Sequence, residues 1–398
     1  RKEQDGFSII NGQEKRFDME RVWDDRKVIE KEEADVLVVG GGIAGISAAV
    51  SAARKGAKTL LLEKQVNLGG LATCGLISWY EPLCDGNGNQ VMGGMAEELI
   101  RLSCRDGFDN LPAKWGGDES CSPRNERYST FFSPTVFSLA LDEFVLESGA
   151  RIRFDTLSVC PVMEGNLCRG VLTESVSGRE FFPAKVVIDA TGDASVMERA
   201  GVPVVAGQNY MTYIAHGYDK KDLRSASESG DLCHFRRWIN AGSDMYGNGH
   251  PDGMGLLQQD SAEEVTDYLL AGKRRLLERC RKNPKGDYDI MTLPTMSQYR
   301  TIRHIVGEKE FRAEVDAVFE DSIGLCSDFR PDGCGKIYQM PFGALYNKAF
   351  PNLLAAGRII CAPAGDGWEV ARVIPVCALT GEAAGKAAAE LAKGNKGH

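Results

Sequence analysis

The chain has 398 residues, 43% hydrophobic and 26% charged, which suits one large α/β domain with an insertion or two ordinary domains, and excludes a disordered or fibrous chain. A formal net charge of -9 with the signs interspersed offers no basic stripe for nucleic acid, and no apolar run approaches the roughly 20 residues that span a bilayer. Twelve cysteines and five histidines are scattered without C-x-x-C spacing, so no metal site is expected and the thiols read as small buried hydrophobes.

Residues 1–33 are polar and aperiodic and predict an arm laid over the surface; with no signal-peptide core there, the expected location is cytoplasmic. The chain begins at Arg1 and not at Met, so a removed leader stays open. Residues 35–39 read as a buried parallel strand, 40–45 as a turn, 46–55 as a helix and 59–63 as a second strand, which is half of a βαβ unit. Between 152 and 190, short β-rich runs separated by Glu164-Gly165-Asn166 and Ser177-Gly178 predict a small antiparallel layer, returning to the main sheet through a strand at 186–189. From 207 to 340 charge and turns increase. A helix opens there on a capping box, Ser261 three residues before Glu264, and runs to about Asn283 ahead of Pro284. Its apolar face, Val265, Tyr268, Leu269, Leu276, Leu277 and Cys280, is core packing. Leu353-Leu354-Ala355-Ala356 reads as another buried strand, and 376–391 as an Ala- and Gly-rich helix able to approach a sheet closely.

The strongest motif is Gly40-Gly41-Gly42-Ile43-Ala44-Gly45, with G-x-G-x-x-G spacing between an apolar strand and a helix. Gly40 allows the tight turn, Gly42 lets the backbone approach a pyrophosphate, Gly45 permits close helix packing, and the helix N-terminus offers free N–H groups. Glu63, at the end of the second strand, suits ribose hydroxyls and repels a 2′-phosphate, so the ligand is FAD or NAD and not NADP. Lys64 then leads to Gly69-Gly70-Leu71-Ala72-Thr73, a second turn whose amides can reach the same pyrophosphate or the ribityl chain, and this pairing points to FAD. The expected fold is α/β, a Rossmann-like FAD-binding domain with a parallel sheet, helices and a small antiparallel layer, plus an inserted α+β substrate domain. The expected division is 1–33 arm, 34–206 first part of the FAD-binding domain, 207–340 substrate or cap domain, and 341–398 the C-terminal part of the FAD-binding domain.

With Ala190-Thr191-Gly192-Asp193 after an apolar strand, the Arg300 to Gly307 stretch, Gly357-Arg358, and Arg372-Val373-Ile374-Pro375 leading into the last helix, the chain resembles the FAD-dependent oxidoreductases of the glutathione reductase-like superfamily. Within it, the resemblance is to the branch related in fold to fumarate reductase and succinate dehydrogenase flavoproteins. The resemblance implies that the first motif holds ADP and that the Ala-Thr-Gly-Asp segment packs beside the dinucleotide. It also implies that the last helix points its N-terminus at the pyrimidine edge of a non-covalent flavin, where its dipole stabilises the reduced ring. The departures restrict the chemistry. Cys74 and Cys84 are too widely spaced, with Pro82 between them, for a redox disulfide, and Gly253-Met254-Gly255 lacks the setting of a second nucleotide motif. Gly357-Arg358 stands where many relatives have Gly-Asp, and Arg358 suits either the cofactor or an anionic substrate.

For substrate chemistry the candidates are Arg300, His304, Glu369 and Arg372, with Arg303 and Tyr338 beside them. Arg300 and Arg303 would share a face if their segment were helical, forming an anion clamp. An imidazole such as His304 suits proton transfer near neutrality. Against each stands a bland alternative: an ion-paired arginine, a satisfied histidine, a packed tyrosine. The expected function is transfer of a hydride or electron pair between FAD and a small organic substrate, with an electron donor or acceptor partner left open. The alternatives are an electron-relay subunit or non-catalytic FAD-binding partner of a larger complex and, last, an NAD-dependent dehydrogenase.

Overall fold

The computed structural model describes residues 9–10, 13–14, 28–117, 127–235, 237–244 and 246–394, so the arm expected at 1–33 lies for the most part outside the described residues. Strand Ala34–Val39 carries the run Val36-Leu37-Val38-Val39, buried on both faces, which is the pattern of a central parallel strand. Around it the parallel sheet runs Arg151–Arg153, Thr59–Leu62, Ala34–Val39, Gly178–Asp189 and Leu353–Ala355.

Strand Gly178–Asp189 joins two layers. Its first half pairs antiparallel with Leu167–Ser175, which pairs in turn with Leu157–Glu164, and its second half, from Ala184 to Asp189, runs parallel to Ala34–Val39. The expected α/β fold with an antiparallel layer returning to the sheet is therefore the fold observed.

The helices are α1 (Ile43–Arg54), α2 (Met95–Arg105), α3 (Pro134–Glu147), α4 (Ser195–Ala200), α5 (Lys220–Ser229), α6 (Ala262–Lys282), α7 (Asp366–Ala371) and α8 (Ile374–Gly394). Helix α1 starts at Ile43, earlier than the sequence suggests, so the glycine turn itself is the helix N-terminus. Helix α8 starts at Ile374 and tolerates Pro375 because a first-turn N–H has no helical acceptor to lose. The two helices run parallel in backbone contact: a Cβ on Gly381 would lie 2.2 Å from the Ala44 carbonyl oxygen, and one on Gly385 would lie 2.2 Å from that of Ala48. The main core draws on residues from Ala34 to Val202 and again from Ile305 to Ala392.

A second core, including Met211, Tyr213, Ile239, Tyr268, Leu276 and Tyr299, lies where α6 meets a three-stranded antiparallel sheet of Arg237–Asn240, Ile214–Asp219 and Tyr288–Thr292. Ser261 caps α6 by accepting from the Glu264 N–H at 3.1 Å, but the reciprocal half of the expected capping box is missing. The Glu264 carboxylate turns instead to the Gln258 and Gln259 amides, at 2.8 and 2.6 Å. A full capping box forms on α5, between Asp219 and Asp222. Leu277 is half exposed, so the buried face of α6 is narrower than its apolar pattern. Among the described residues no helix is long and apolar enough to cross a membrane.

Candidate cofactor and substrate site

The first glycine turn is built by close approach. Gly40 has φ +104°, and a Cβ there would lie 2.5 Å from the Ala190 carbonyl oxygen, so the turn after Ala34–Val39 is pressed against the turn after Gly178–Asp189. Gly42 differs: nothing lies within 4 Å of a would-be Cβ, and no side chain caps the N-terminus of α1. The second turn abuts the first, with the Gly69 N–H donating to the Gly41 carbonyl at 2.8 Å and Gly42 bridging to Gly69. The buried Glu63 carboxylate locks this arrangement, accepting from the Gly41 N–H at 2.6 Å and the Gln65 N–H at 2.7 Å. Each of its oxygens has a second lone pair for a ribose hydroxyl. Thr73 donates to the Leu68 carbonyl and closes the loop that carries Gly70, Leu71 and Ala72.

Asp189 organises the third segment. Its fully buried carboxylate accepts from the Thr191 N–H and hydroxyl (3.0 and 2.6 Å) and from the Val196 and Met197 amides (3.0 and 2.9 Å), fixing the turn through Ala190 and the start of α4. Burial nevertheless pushes its pKa up to about 6. For Asp193 burial pulls upward too, but the charge of Lys64 and the hydrogen bonds of Ser195 and Thr191 prevail and hold its pKa below the ordinary value. The Arg358 guanidinium lies against this turn, its Nε donating to the Gly192 carbonyl at 2.7 Å, while the Gly357 N–H is held by the Thr380 hydroxyl at 3.1 Å. Burial lowers the Arg358 pKa, and Asp193 pulls it back. The segments around Gly40, Gly69, Gly192 and Arg358 are thus brought into one cluster.

Helix α8 carries that cluster onward. Gly381 sits against Ala44, seven residues into α8 but one into α1, so α8 projects about 9 Å beyond the N-terminus of α1 on the same side. Val373 and Ile374 thus lie beyond Gly42 on the same side, within the reach of an elongated dinucleotide. These features fit FAD: an open backbone cradle, a carboxylate at ribose position and a second helix N-terminus farther along.

At that end the Ile374 N–H donates at 3.1 Å to Glu81, a buried carboxyl. Burial pushes Glu81 to about 7, against the pull of its own backbone amide, the Arg372 charge and the Ile374 amide. Arg372 pairs with Glu369 at 2.6 Å, and its guanidinium stands 5.0 Å from the Trp368 ring and 5.8 Å from that of Phe329. Arg330 ties the segment below, bonding both Asp328 and Asp366 at the start of α7. Burial pushes the Cys377 thiol up to about 12, so it is no nucleophile at neutral pH.

The second core grips the loop after the second glycine turn. Gln298 donates to the Gly75 and Ile214 carbonyls at 2.6 and 2.9 Å, and the Thr295 N–H donates to the Cys74 carbonyl at 2.9 Å. His216 Nε2 lies 3.1 Å from the Leu76 carbonyl oxygen and 3.3 Å from the Ser78 hydroxyl.

The arginine segment departs from expectation. It is a turn followed by the strand Arg303–Ile305, paired antiparallel with Val204–Ala206, so Arg300 and Arg303 share no helix face. Arg303 is spent on Glu198 at 2.9 Å and on the Asp193 carbonyl. His304 is buried on that strand with Nδ1 3.0 Å from the Ile305 carbonyl oxygen, the geometry of a satisfied histidine. Tyr338 commits its hydroxyl to Asp328 at 2.7 Å and is a packing residue. Arg300 is different: among the described residues its guanidinium makes no hydrogen bond or ion pair, although its backbone is held by Asn209. Burial, then the nearby Arg372 charge, lowers its pKa, while Glu369 and Asp244 act in the other direction. Arg300, Glu369 and Arg372 therefore share one electrostatic neighbourhood. Sequence reasoning missed Glu81; the signal was a lone carboxylate inside the apolar run Ile77 to Leu83.

A family model described as FAD dependent oxidoreductase matches residues 35–217 and 280–397. Among curated proteins, a digeranylgeranylglycerophospholipid reductase of Methanosphaerula palustris is 29% identical over 171 residues, 42% of this chain and 41% of that protein. A thiamine thiazole synthase of Methanococcus vannielii is 30% identical over 176 residues, covering 42% of this chain and 59% of the synthase. The aligned part thus spans less than two thirds of these relatives. Among solved structures, p-nitrophenol 4-monooxygenase of Pseudomonas putida aligns over 94% of this chain and 82% of its own, with 14% identity and a TM-score of 0.48. With the family model covering both halves of the main core and the glycine turns built for a dinucleotide, the chain belongs to the FAD dependent oxidoreductase family.

Proposed function

We propose that the protein is an FAD-dependent oxidoreductase acting on a small organic substrate with an anionic group, bound between the N-terminus of α8 and the second core. One observation carries the substrate part: Arg300 presents a partly buried guanidinium with no ion pair among the described residues, beside Arg372. A guanidinium without an ion-pair partner is costly to enclose and is retained where an anionic ligand completes it. FAD, when bound, supplies the acceptor or donor of a hydride or electron pair. The chain's own residues do the rest. Gly42 and the amides at the start of α1 receive the pyrophosphate, Glu63 receives the ribose, and Arg358 with the turn from Ala190 to Asp193 flanks the cofactor. Arg300 and Arg372 orient the substrate, with Glu369 holding Arg372 in place.

We place residues 34–206 and 341–398 in the FAD-binding domain and 207–340 in the substrate domain, supported by the separate core around Tyr213 and Tyr268. Kinship with fumarate reductase and succinate dehydrogenase flavoproteins belongs to the same reading, as does a cytoplasmic setting. The test is to purify the protein, identify the cofactor released on denaturation, and follow anaerobic bleaching of the flavin by NADH and by a panel of small organic acids. Bleaching by an acid supports a substrate dehydrogenase, and bleaching by NADH a reductase. A colourless protein that cannot be reconstituted with FAD overturns the proposal.

A further inference from the structure

We propose that Glu81 is the proton-accepting group coupled to cofactor reduction: seated on the first amide of α8, its buried carboxylate takes up one proton as two electrons enter the site. The inference rests on FAD binding as in the proposed function, along the glycine turns and toward the N-terminus of α8.

The argument begins with what a helix N-terminus already holds. The Ile374 N–H donates to Glu81 at 3.1 Å, so above pH 7 one negative charge occupies that end of α8 before any electrons arrive. Under the proposed function the redox-active half of the dinucleotide lies toward this same end, where α8 overshoots α1 by about 9 Å. Adding two electrons there puts a second negative charge beside a buried carboxylate, and like charges in a poorly solvated site favour protonation of one of them.

The neighbouring groups leave Glu81 as the group that yields. Arg372, at the end of α7, bears on Glu81 but is already paired with Glu369 at 2.6 Å. On α8 itself Cys377 is a neutral thiol, raised by its burial. Tyr80, next in chain, is a buried phenol whose hydroxyl is committed to the Ala96 carbonyl. With its pKa near 7, Glu81 changes charge within the physiological range, so a modest rise on reduction is enough to load the proton.

The balance is simple. Two electrons come from the reductant, one proton accompanies them to the cofactor, and a second proton leaves the solution and converts the Glu81 carboxylate to the acid. Oxidation returns both protons.

The test is a redox titration of the FAD-loaded protein across pH, for the wild type, Glu81→Gln and Glu81→Asp. Each proton taken up per two electrons shifts the potential by about 30 mV per pH unit. The wild type and Glu81→Asp are expected to show twice the one-proton slope just above pH 7, and Glu81→Gln the single slope. A reduced-minus-oxidised infrared spectrum should contain a protonated-carboxyl C=O band that Glu81→Gln lacks. Equal slopes in flavin-loaded wild type and Glu81→Gln overturn the assignment of Glu81 and leave the FAD reading intact. Failure of the wild type to bind FAD overturns both.

Discussion

Arg358 Nε donates to the Gly192 carbonyl at 2.7 Å, joining the turn after Leu353–Ala355 to the turn after Gly178–Asp189. A guanidinium enclosed there without a salt bridge among the described residues costs folding energy, and under the proposed function it flanks the anionic cofactor. Arg358→Met relieves that cost but strips the Gly192 carbonyl of its hydrogen bond, so the melting temperature of the cofactor-free protein should stay within a few degrees of the wild type. At the same time FAD affinity should fall about 10- to 100-fold, the worth of a charged hydrogen bond. Thermal melts and FAD titration measure the two separately, and a variant that melts lower while binding FAD normally would assign Arg358 to the fold alone.

Gly42 offers a sharper separation. It is the N-cap of α1 with φ -72°, a conformation open to any residue, and nothing crowds its Cβ position. Aspartate is a good N-cap, so Gly42→Asp should leave stability within about 0.5 kcal/mol of the wild type or slightly above it. The same carboxylate would stand where the pyrophosphate is proposed to sit, and FAD retention should be abolished. Gly40→Ala should lose both, because φ +104° and the Ala190 carbonyl at 2.5 Å leave its methyl no room. Cofactor content and melting temperature of the two variants decide it.

Glu81 also sets a pH dependence of stability. Its pKa is about 7 in the folded protein against 4.5 ordinarily, so the folded state holds the proton more tightly than the unfolded one. That contribution is complete below pH 4.5 and is lost as pH rises through 7. At about 1.4 kcal/mol per pKa unit it amounts to about 3 kcal/mol. Relative to the wild type, cofactor-free Glu81→Gln should gain about 2.5 kcal/mol between pH 5 and pH 8, part of the loss being already complete at pH 5. Denaturant melts at the two pH values check it, and a constant difference between the two proteins would place the carboxyl's titration elsewhere.

The parts of this site that were legible in the sequence are those made by neighbours in the chain. The glycine turn, the strand before it and Glu63 follow from local backbone demands. The fixed spacing of Gly40, Gly42 and Gly45 carries those demands without reference to the rest of the molecule. The contact of Glu81 with Ile374 spans 293 residues, and no local pattern encodes it. Arg300 and Arg303 failed as a helical pair for a related reason. Their spacing fits a helix face, but pairing of Arg303–Ile305 with Val204–Ala206 draws the second arginine into a strand, where Glu198 neutralises it. The half-formed capping box at Ser261 repeats the lesson: the Gln258 and Gln259 amides outcompete the cap for Glu264.

Arg300 carries the most consequential prediction, because it separates a substrate anchor from a structural residue. A structural arginine enclosed by protein has a carboxylate or carbonyl partner, and its loss strips that partner of its hydrogen bonds and destabilises the fold. Arg300 has no such side-chain partner among the described residues, so nothing is orphaned by Arg300→Met, and removal of a partly buried charge should raise stability by about 0.5–2 kcal/mol. FAD content should be unchanged, since the residue lies on the substrate side. Bleaching of the flavin by whichever organic acid proves active should slow by 100-fold or more, with Arg300→Lys recovering only part of the rate because a point charge does not reproduce the planar fork. Stopped-flow reduction with melts on the same preparations measures all of these. A loss of stability with unimpaired reduction would show Arg300 to be a scaffold residue and move the substrate anchor to Arg372.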